Sequence, residues 1–156
     1  MPVASHLKAY LEKNKIPYEV IAHPETSNAR ASARAAHIPG DNMLKSVVVH
    51  CDEGYMLAVV PSTHRLELGT LQEIIEKRLG LATEQEVGDL FNDCKLGAVP
   101  AIGEPYGLTV LLDDSLDELK DVWFEGGDHE SLIHLEADGF KRLMKDAEHG
   151  HFSHHI

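Results

Sequence analysis

The segment MLKSVVVHCDEGYMLAVVP, residues 43–61, carries the clearest secondary-structure signal in the chain. Two apolar runs rich in β-branched residues flank a turn at residues 52–54, a pattern typical of a β-hairpin. Because successive strand residues point to opposite faces, Lys45 shares a face with Val47 and Val49. If those valines face the core, the Lys45 ammonium stands at the mouth of that core and requires an anion.

An alternative interpretation of Lys45 is an edge lysine whose aliphatic stem packs while its ammonium reaches water. The strand pattern by itself favours this plainer interpretation over a functional lysine.

Other segments predict helices and strands on both sides of the hairpin. Apolar residues at helical spacing indicate helices, alternating residues indicate strands, and Thr83 with Glu86 forms a capping-box pattern. The predicted helices cover about 4–14, 26–36, 71–79, 83–93 and 140–147, and the further strands about 18–22, 108–112, 121–125 and 131–135. Hairpins interleaved with helices predict an α/β fold with a mixed, largely antiparallel sheet.

The composition is that of a single globular domain. The chain has 156 residues, of which 43% are hydrophobic and 26% charged. No apolar run approaches the length needed to cross a bilayer, and the N-terminus lacks an apolar signal core, so we expect a cytoplasmic protein with no membrane partner. We expect one domain over residues 1–148, followed by a His-rich tail at 149–156.

The charge distribution is uneven. The net charge of −12 argues against DNA and against broad nucleic-acid binding. Residues 1–50 nevertheless carry six bases against four acids, a net charge of +2, whereas residues 104–156 carry four bases against thirteen acids, a net charge of −9. A polyanion should therefore meet the N-terminal half of the chain.

A second unusual segment is KLGAVPAIGEPYG, residues 95–107. It is too broken for a helix and too apolar for a solvated linker. Glycine permits close backbone approach to a ligand and leaves N–H donors free, and proline stiffens the loop. The segment predicts either a pocket walled by Ala98, Val99 and Ala101 or a buried connection that turns corners, and its residues leave both open. It lacks the GxxxxGK[ST] pattern of a phosphate-binding loop.

Several segments together resemble one family. They are VIAHPETS at 20–27, MLKSVVV at 43–49, YMLAVVPSTHRLEL at 55–68 and GAVPAIG at 97–103. In order and separation they resemble the YbaK/prolyl-tRNA synthetase-associated domain family, aminoacyl-tRNA deacylases that hydrolyse mischarged tRNA in trans. The resemblance covers most of the chain and implies a YbaK-like, barrel-like sheet flanked by helices.

The resemblance also implies roles for individual residues. A strand lysine is tied to activity in that family, and a glycine–proline loop holds the aminoacyl ester through its backbone. Here Lys45 would contact the 3′-terminal nucleotide or the ester carbonyl, and Gly97 would help to stabilise the oxyanion while water attacks. The other substrate-binding positions that the resemblance implies are Ser46, Thr26, Arg65, His129, Ala98, Val99, Pro100 and Ala101. It implies no metal and no cofactor, and it requires Lys45 and the loop to converge on one cleft.

The predicted activity is hydrolysis of a mischarged tRNA that carries a small amino acid, as in Ala-tRNA(Pro). A small, stiff wall suits this, since a pocket excludes larger groups more strongly than it rejects smaller ones. The expected partners are the 3′ acceptor end of aminoacyl-tRNA and, in addition, a synthetase. Members specialised for Ala-tRNA(Pro) often carry Asn where this chain has Ser46, and His129 is an approximate counterpart of their histidine, so the amino acid stays open.

Two other functions remain open from the sequence. A non-catalytic module on the same fold would bind tRNA ends, amino acids or a synthetase without hydrolysis, as the acidic net charge allows. The histidines of the tail would bind a transition metal in a second alternative, although a frayed terminus is the more common state of such a segment. Arg65 would meet a tRNA phosphate or remain a solvated loop charge.

Overall fold

The predicted hairpin forms two adjacent strands of a five-stranded sheet in a computed structural model that describes residues 3–156. The helices are α1 Ser5–Lys13, α2 Ala29–Ala35, α3 Leu68–Ile75, α4 Glu84–Leu90 and α5 Ala137–Leu143. The strands are β1 Glu19–Ala22, β2 Leu44–Cys51, β3 Gly54–Pro61, β4 His64–Leu66, β5 Gly80–Leu81, β6 Thr109–Asp113, β7 Asp121–Glu125, β8 Ser131–Glu136, β9 Glu148–Gly150 and β10 Ser153–His155.

The strands form a mixed and largely antiparallel arrangement, as predicted. The five-stranded sheet has the order β5-β2-β3-β6-β9, in which β6 runs parallel to both β3 and β9. A second sheet has the order β1-β8-β7 and is antiparallel throughout. A short antiparallel pair joins β10 to β4. The α/β single-domain prediction is therefore confirmed.

The barrel-like closure that the resemblance implied is not formed. A barrel requires its edge strands to pair along their length, but the edge strands here are β5, with two residues, and β9, with three. Within residues 3–156 these two strands do not pair with each other. The sheets stay open, and a single parallel bridge from Met43 to Trp123 links the larger sheet to the second one.

Both faces of the hairpin are covered, which explains why its sequence is apolar almost throughout. Leu44 and Val48 contribute to a large core that includes Leu7 and Leu11 of α1. On the opposite face, Val49 joins a smaller core with Met56, Leu71 and Phe152. By alternation Lys45 shares the face of Val49, so it stands at the end of the smaller core, as the pattern predicted.

Several predicted element ends shift because local capping decides them. Helix α2 begins after Asn28, whose side chain accepts the Ala31 N–H at 2.9 Å, and not after Thr26 or Ser27. Helix α3 ends at Glu76, which adopts a left-handed conformation, while Gly80 begins β5. The capping box of Thr83 and Glu86 is present at the start of α4. No helix in the described part of the chain is long and apolar enough to span a bilayer.

The His-rich segment 149–156 packs against the domain instead of fraying. It contributes to β9 and contains β10, and its Phe152 side chain is only 1% exposed. The Asp113 carboxylate accepts the Phe152 N–H at 2.8 Å, which fixes the segment against the end of β6. The segment anticipated as a separate tail is thus structurally continuous with the preceding residues.

Phe152→Ala should reveal this packing as a loss of stability. Removing a fully buried phenylalanine should lower the free energy of unfolding by roughly 3–5 kcal/mol, through lost burial and the cavity that remains. The measurement is urea denaturation, with the exposed His151→Ala as the control, which should change stability by less than about 0.5 kcal/mol. Equal effects of the two substitutions would show that the segment does not contribute to the core.

Candidate active site

A cleft of about 450 Å³ lies where β2, helix α2 and the 95–107 loop meet. Strand β2 pairs with β5 only through Val49 and His50, so the part of β2 that contains Lys45 and Ser46 has β3 as its only ladder partner within residues 3–156. Among the residues that line the cleft are Asn28, Arg30, Lys45, Ser46, Gly97, Val99 and Glu125. The strand lysine and the glycine-containing loop therefore face the same space.

Lys45 is half-buried at the wall of this cleft. Burial lowers the pKa of its ammonium, and the positive charges of Arg30 and Arg65 lower that pKa further. These three cations make this side of the cleft locally positive despite the negative net charge of the chain. An anionic group entering beside Lys45 would offset the desolvation of the ammonium and the repulsion from the two arginines.

A hydrogen bond connects the strand to the loop. The Ser46 hydroxyl donates to the Pro100 carbonyl oxygen at 3.0 Å. The Pro100 side chain is buried, so this bond joins two elements that are already held by packing. It sets the position of Gly97 and Val99 relative to Lys45.

Gly97 occupies a position that only glycine fits. Its φ is +82°, and an added Cβ would lie 2.8 Å from the Ser27 carbonyl oxygen and 3.1 Å from His129 Cε1. The Ala98 N–H donates to the Lys95 carbonyl at 3.1 Å, whereas within residues 3–156 the Gly97 N–H donates no hydrogen bond. The loop thus offers an exposed backbone donor to the cleft at Gly97.

The sequence suggested that the loop alanines line the cleft, but neither of them does. Ala98 and Ala101 are both 0% exposed, and Ala101 belongs to the large core. The loop alternates, so that Gly97 and Val99 face the cleft while the neighbouring small residues pack inward. Small size at Ala98 and Ala101 therefore serves packing beneath the loop, whereas Val99 lines the cleft and Ala29 of α2 adds a second small wall.

The remaining predicted residues lie outside the cleft wall. Arg65, on β4, is exposed and acts on Lys45 only through its charge. Thr26 and His129 lie across the loop, where they border an adjacent opening together with Leu96. A ring nitrogen of His129, Nε2, is hydrogen-bonded to the Leu96 carbonyl, so His129 supports the loop from behind.

A buried acid, Glu125, is the main residue that the sequence analysis missed. It ends β7, lines the cleft and is only 2% exposed. Ser32 Oγ donates to its Oε2 at 3.0 Å, while His23 Nε2 lies 3.9 Å from Oε1 and His129 Nδ1 lies 4.0 Å from Oε2. An acid at the end of an apolar strand and before two glycines, in WFEGG at 123–127, is the signal that could have identified it.

Burial raises the pKa of Glu125 to about 7. The Ser32 hydroxyl opposes this rise by donating to the carboxylate, and the nearby Asp128 charge adds to it. A carboxyl group with such a pKa changes its charge near neutral pH and is typical of functional sites, although structural networks produce the same shift.

The described residues offer one candidate group of metal ligands, and it lies elsewhere. Asp114, Asp117 and His149 are exposed, and their ligand atoms lie within 4.8 Å of one another. None of the three lines the cleft. The other histidines of the 149–156 segment do not join this group.

Comparison with known proteins places this geometry in context. The model of the family described as the aminoacyl-tRNA editing domain matches residues 23–143. A crystal structure described as a candidate trans-editing enzyme for prolyl tRNA synthetase is 26% identical, with a TM-score of 0.86, and the alignment covers 99% of this chain and 98% of the other. No curated protein matches the chain significantly.

Two further solved structures support the fold alone. A scaffold protein used for computational epitope grafting is 23% identical, with a TM-score of 0.85, over 100% of this chain and 99% of the other. A hypothetical protein is 18% identical, with a TM-score of 0.85, over 96% of this chain and 100% of the other.

The buried acid makes stability depend on pH in a defined direction. Because the pKa of Glu125 is raised from 4.5 to about 7 in the folded protein, the folded state retains a proton that the unfolded chain loses, and this contribution falls as pH rises from 4.5 to 7. Glu125→Gln cannot ionise, so its stability relative to wild type should be greater at pH 8 than at pH 5, by on the order of 3 kcal/mol. Urea denaturation at both pH values measures the difference.

The matched control is Glu130→Gln, which removes an exposed carboxylate from the same turn. It should show nearly the same pH dependence as wild type. If Glu125→Gln also followed the wild-type pH dependence, Glu125 would not titrate with a raised pKa in the folded protein.

Proposed function

Because the chain belongs to the aminoacyl-tRNA editing domain family, we propose that it is a trans-editing deacylase that hydrolyses the ester of a mischarged tRNA carrying a small amino acid such as alanine. The observation that carries the proposal is the shared cleft of Lys45 and Gly97, with the Ser46–Pro100 hydrogen bond holding strand and loop together. A cation and a free backbone donor in one cleft suit an ester bonded to a polyanion.

In the proposed reaction the terminal nucleotide lies against the positive side of the cleft. Lys45 and Arg30 contact its phosphate or the ester carbonyl, and Arg65 contributes long-range attraction for the acceptor end. The excess of bases in the N-terminal part of the chain supports this orientation.

Gly97 is proposed to act on the ester itself. Its N–H donates to the carbonyl oxygen, and this hydrogen bond strengthens as negative charge develops during attack by water. Donation from a fixed backbone group needs little reorganisation at the moment of reaction. The Ala98 N–H does not take this part, because it already donates to the Lys95 carbonyl.

The walls of the cleft support a preference for a small amino acid. Ala29, Ala82 and Val99 restrict the space near the loop, and the hydrogen bond of Ser46 to Pro100 limits the freedom of the loop to move away. Restricted space near the loop disfavours larger side chains, which protects the correctly charged tRNA. The similar structure that is described in relation to prolyl tRNA synthetase supports Ala-tRNA(Pro) as the first substrate to test, and that synthetase as a partner.

Lys45→Ala should abolish most of the activity. Loss of the ammonium should lower kcat/KM for Ala-tRNA(Pro) deacylation by about 100-fold or more, as for removal of one electrostatic stabiliser. Exposed Lys8 on α1 provides the control, and Lys8→Ala should stay within about 2-fold of wild type. Equal rates for Lys45→Ala and wild type would refute the role of Lys45. Tight binding of the acceptor end by wild type without turnover would instead favour the non-catalytic module.

Gly97→Ala should impair the same reaction through the loop. The Cβ would lie 2.8 Å from the Ser27 carbonyl oxygen, so the backbone donor must move, and we expect kcat/KM to fall by roughly 10-fold or more. Gly107 is a matched control, because its φ is +73° but an added Cβ would meet nothing within 4 Å. Gly107→Ala carries similar backbone strain and should stay within about 3-fold of wild type in the deacylation assay. Equal losses for both variants would assign the effect to strain alone.

A further inference from the structure

We propose that Glu125 binds the α-ammonium group of the aminoacyl ester through Oε1, the carboxylate oxygen that has no partner in the protein. This inference rests on the proposed function, since it assigns a place in the cleft to one part of that substrate. It adds a specificity determinant that distinguishes an aminoacyl ester with a free α-amino group from one whose α-amino group is acylated.

The surroundings of Glu125 are rich in acceptors and poor in donors. His23 Nδ1 lies 2.7 Å from the Pro24 carbonyl oxygen, and a carbonyl only accepts, so this nitrogen carries the proton. In the neutral ring His23 Nε2 is then a bare acceptor. The same reasoning applies to His129, whose Nε2 bonds the Leu96 carbonyl and whose Nδ1 is left as an acceptor.

Three buried polar atoms of this cluster therefore lack a hydrogen-bond partner. They are Glu125 Oε1, His23 Nε2 and His129 Nδ1, and none has a hydrogen-bond partner within the described residues. The Ser32 hydroxyl donates to the other carboxylate oxygen and is itself 2.5 Å from Thr26 Oγ1. Unpaired buried polar atoms are costly, and once Glu125 is ionised all three are acceptors, so the cluster is suited to a cationic ligand that brings donors.

A primary ammonium fits this requirement better than a metal ion does. It carries three N–H donors and a positive charge, which the carboxylate complements. Glu125, His23 and His129 do not form a group in which one ligand atom from each lies within 4.8 Å of the others. An ammonium in the cleft completes the carboxylate after a small side-chain movement that uncovers Oε1, because this oxygen is shielded from solvent in the unliganded protein.

The position of Glu125 agrees with the geometry of an amino acid ester. The α-ammonium of such an ester is separated from its carbonyl carbon by one carbon atom. His129 connects the two regions of the site, because its Cε1 lies 3.1 Å from the point where a Gly97 Cβ would be and its Nδ1 lies 4.0 Å from Glu125 Oε2. Gly97 and Glu125 both line the cleft, so an ester whose carbonyl oxygen meets the Gly97 N–H has its α-ammonium in the same cleft as Glu125.

The electrostatics of the cleft support the same assignment. Lys45 and Arg30 attract the phosphates of the acceptor end but repel the ammonium of the amino acid. A carboxylate in the same cleft offsets that repulsion. An arriving ammonium also favours the ionised form of the buried Glu125 side chain, whose pKa is otherwise raised by burial.

The test uses two stable probes in binding experiments. Both are acceptor-stem minihelices ending in 3′-amino-3′-deoxyadenosine that carries alanine in amide linkage, one with a free α-amino group and one N-acetylated. Wild type should bind the free-amine probe roughly tenfold more tightly or better, as a charge-assisted hydrogen bond allows. Glu125→Gln, which has nearly the same shape, should reduce this preference to less than about threefold.

The matched control is Glu84→Gln, a substitution of an exposed carboxylate that also borders the cleft. It should keep the wild-type preference. The comparison of the two probes on wild type is independent of whether any variant folds. Absence of a preference in wild type, including failure to bind either probe, overturns the inference, and so does an undiminished preference in Glu125→Gln.

Deacylation of Ala-tRNA(Pro) and its N-acetylated form, measured in parallel, separates this inference from the proposed function. Wild type that prefers the free-amine probe but hydrolyses no ester supports the ammonium site and refutes the deacylase. Wild type that hydrolyses both esters equally well supports the deacylase and refutes the ammonium site. Equal loss of kcat on both esters in Glu125→Gln, with the binding preference intact, would make Glu125 a general base and overturn the inference.

Discussion

The site depends on strand β2 being buried on both faces while part of its edge remains without a neighbouring strand. Burial by two separate cores fixes the position of the strand more firmly than one core would, because movement in either direction disrupts packing. The short β5 covers only the far end of β2. Lys45 and Ser46 are therefore held on a rigid element and still face open space.

The loop of residues 95–107 reaches this edge through backbone and side chain together. Ser46 donates to Pro100, the small side chains of Ala98 and Ala101 pack inward, and Gly97 turns where no other residue fits. This combination gives a segment with three glycines one defined conformation. Its conformation is determined by packing beneath it and by one hydrogen bond to the strand.

The cleft brings cations and a buried acid together, since Lys45, Arg30 and Glu125 all line it and Arg65 acts from outside through its charge. Lys45, Arg30 and Arg65 lie close enough together that the arginine charges lower the pKa of the lysine, while Oε1 of Glu125 has no hydrogen-bond partner within the described residues. Such an arrangement is matched by a ligand that is anionic at one end and cationic a few bonds away, as an aminoacyl nucleotide is.

The secondary structure was largely predictable because its signals are local. The 43–61 hairpin, the capping box at Thr83 and the paired strands around Gly126 and Gly127 all follow from short patterns, and all appear in the structure. Helix ends were less predictable, since Asn28 and Glu76 set them through individual conformations that propensity does not specify. Fraying of the 149–156 segment was wrongly expected because the burial of Phe152 depends on residues distant in sequence.

Some features of the candidate site can likewise be predicted from the sequence, and others depend on the tertiary structure. From sequence alone, Lys45 is recognisable as a cation inside an apolar strand, and the 95–107 segment as an unusual loop, because each is an exception to its own neighbourhood. Only the tertiary structure decides that they share a cleft, that Ala98 and Ala101 face away from it, and that Glu125 faces into it. These facts depend on contacts between residues far apart in the chain, such as Ser46 with Pro100 and Ser32 with Glu125, which no local pattern encodes.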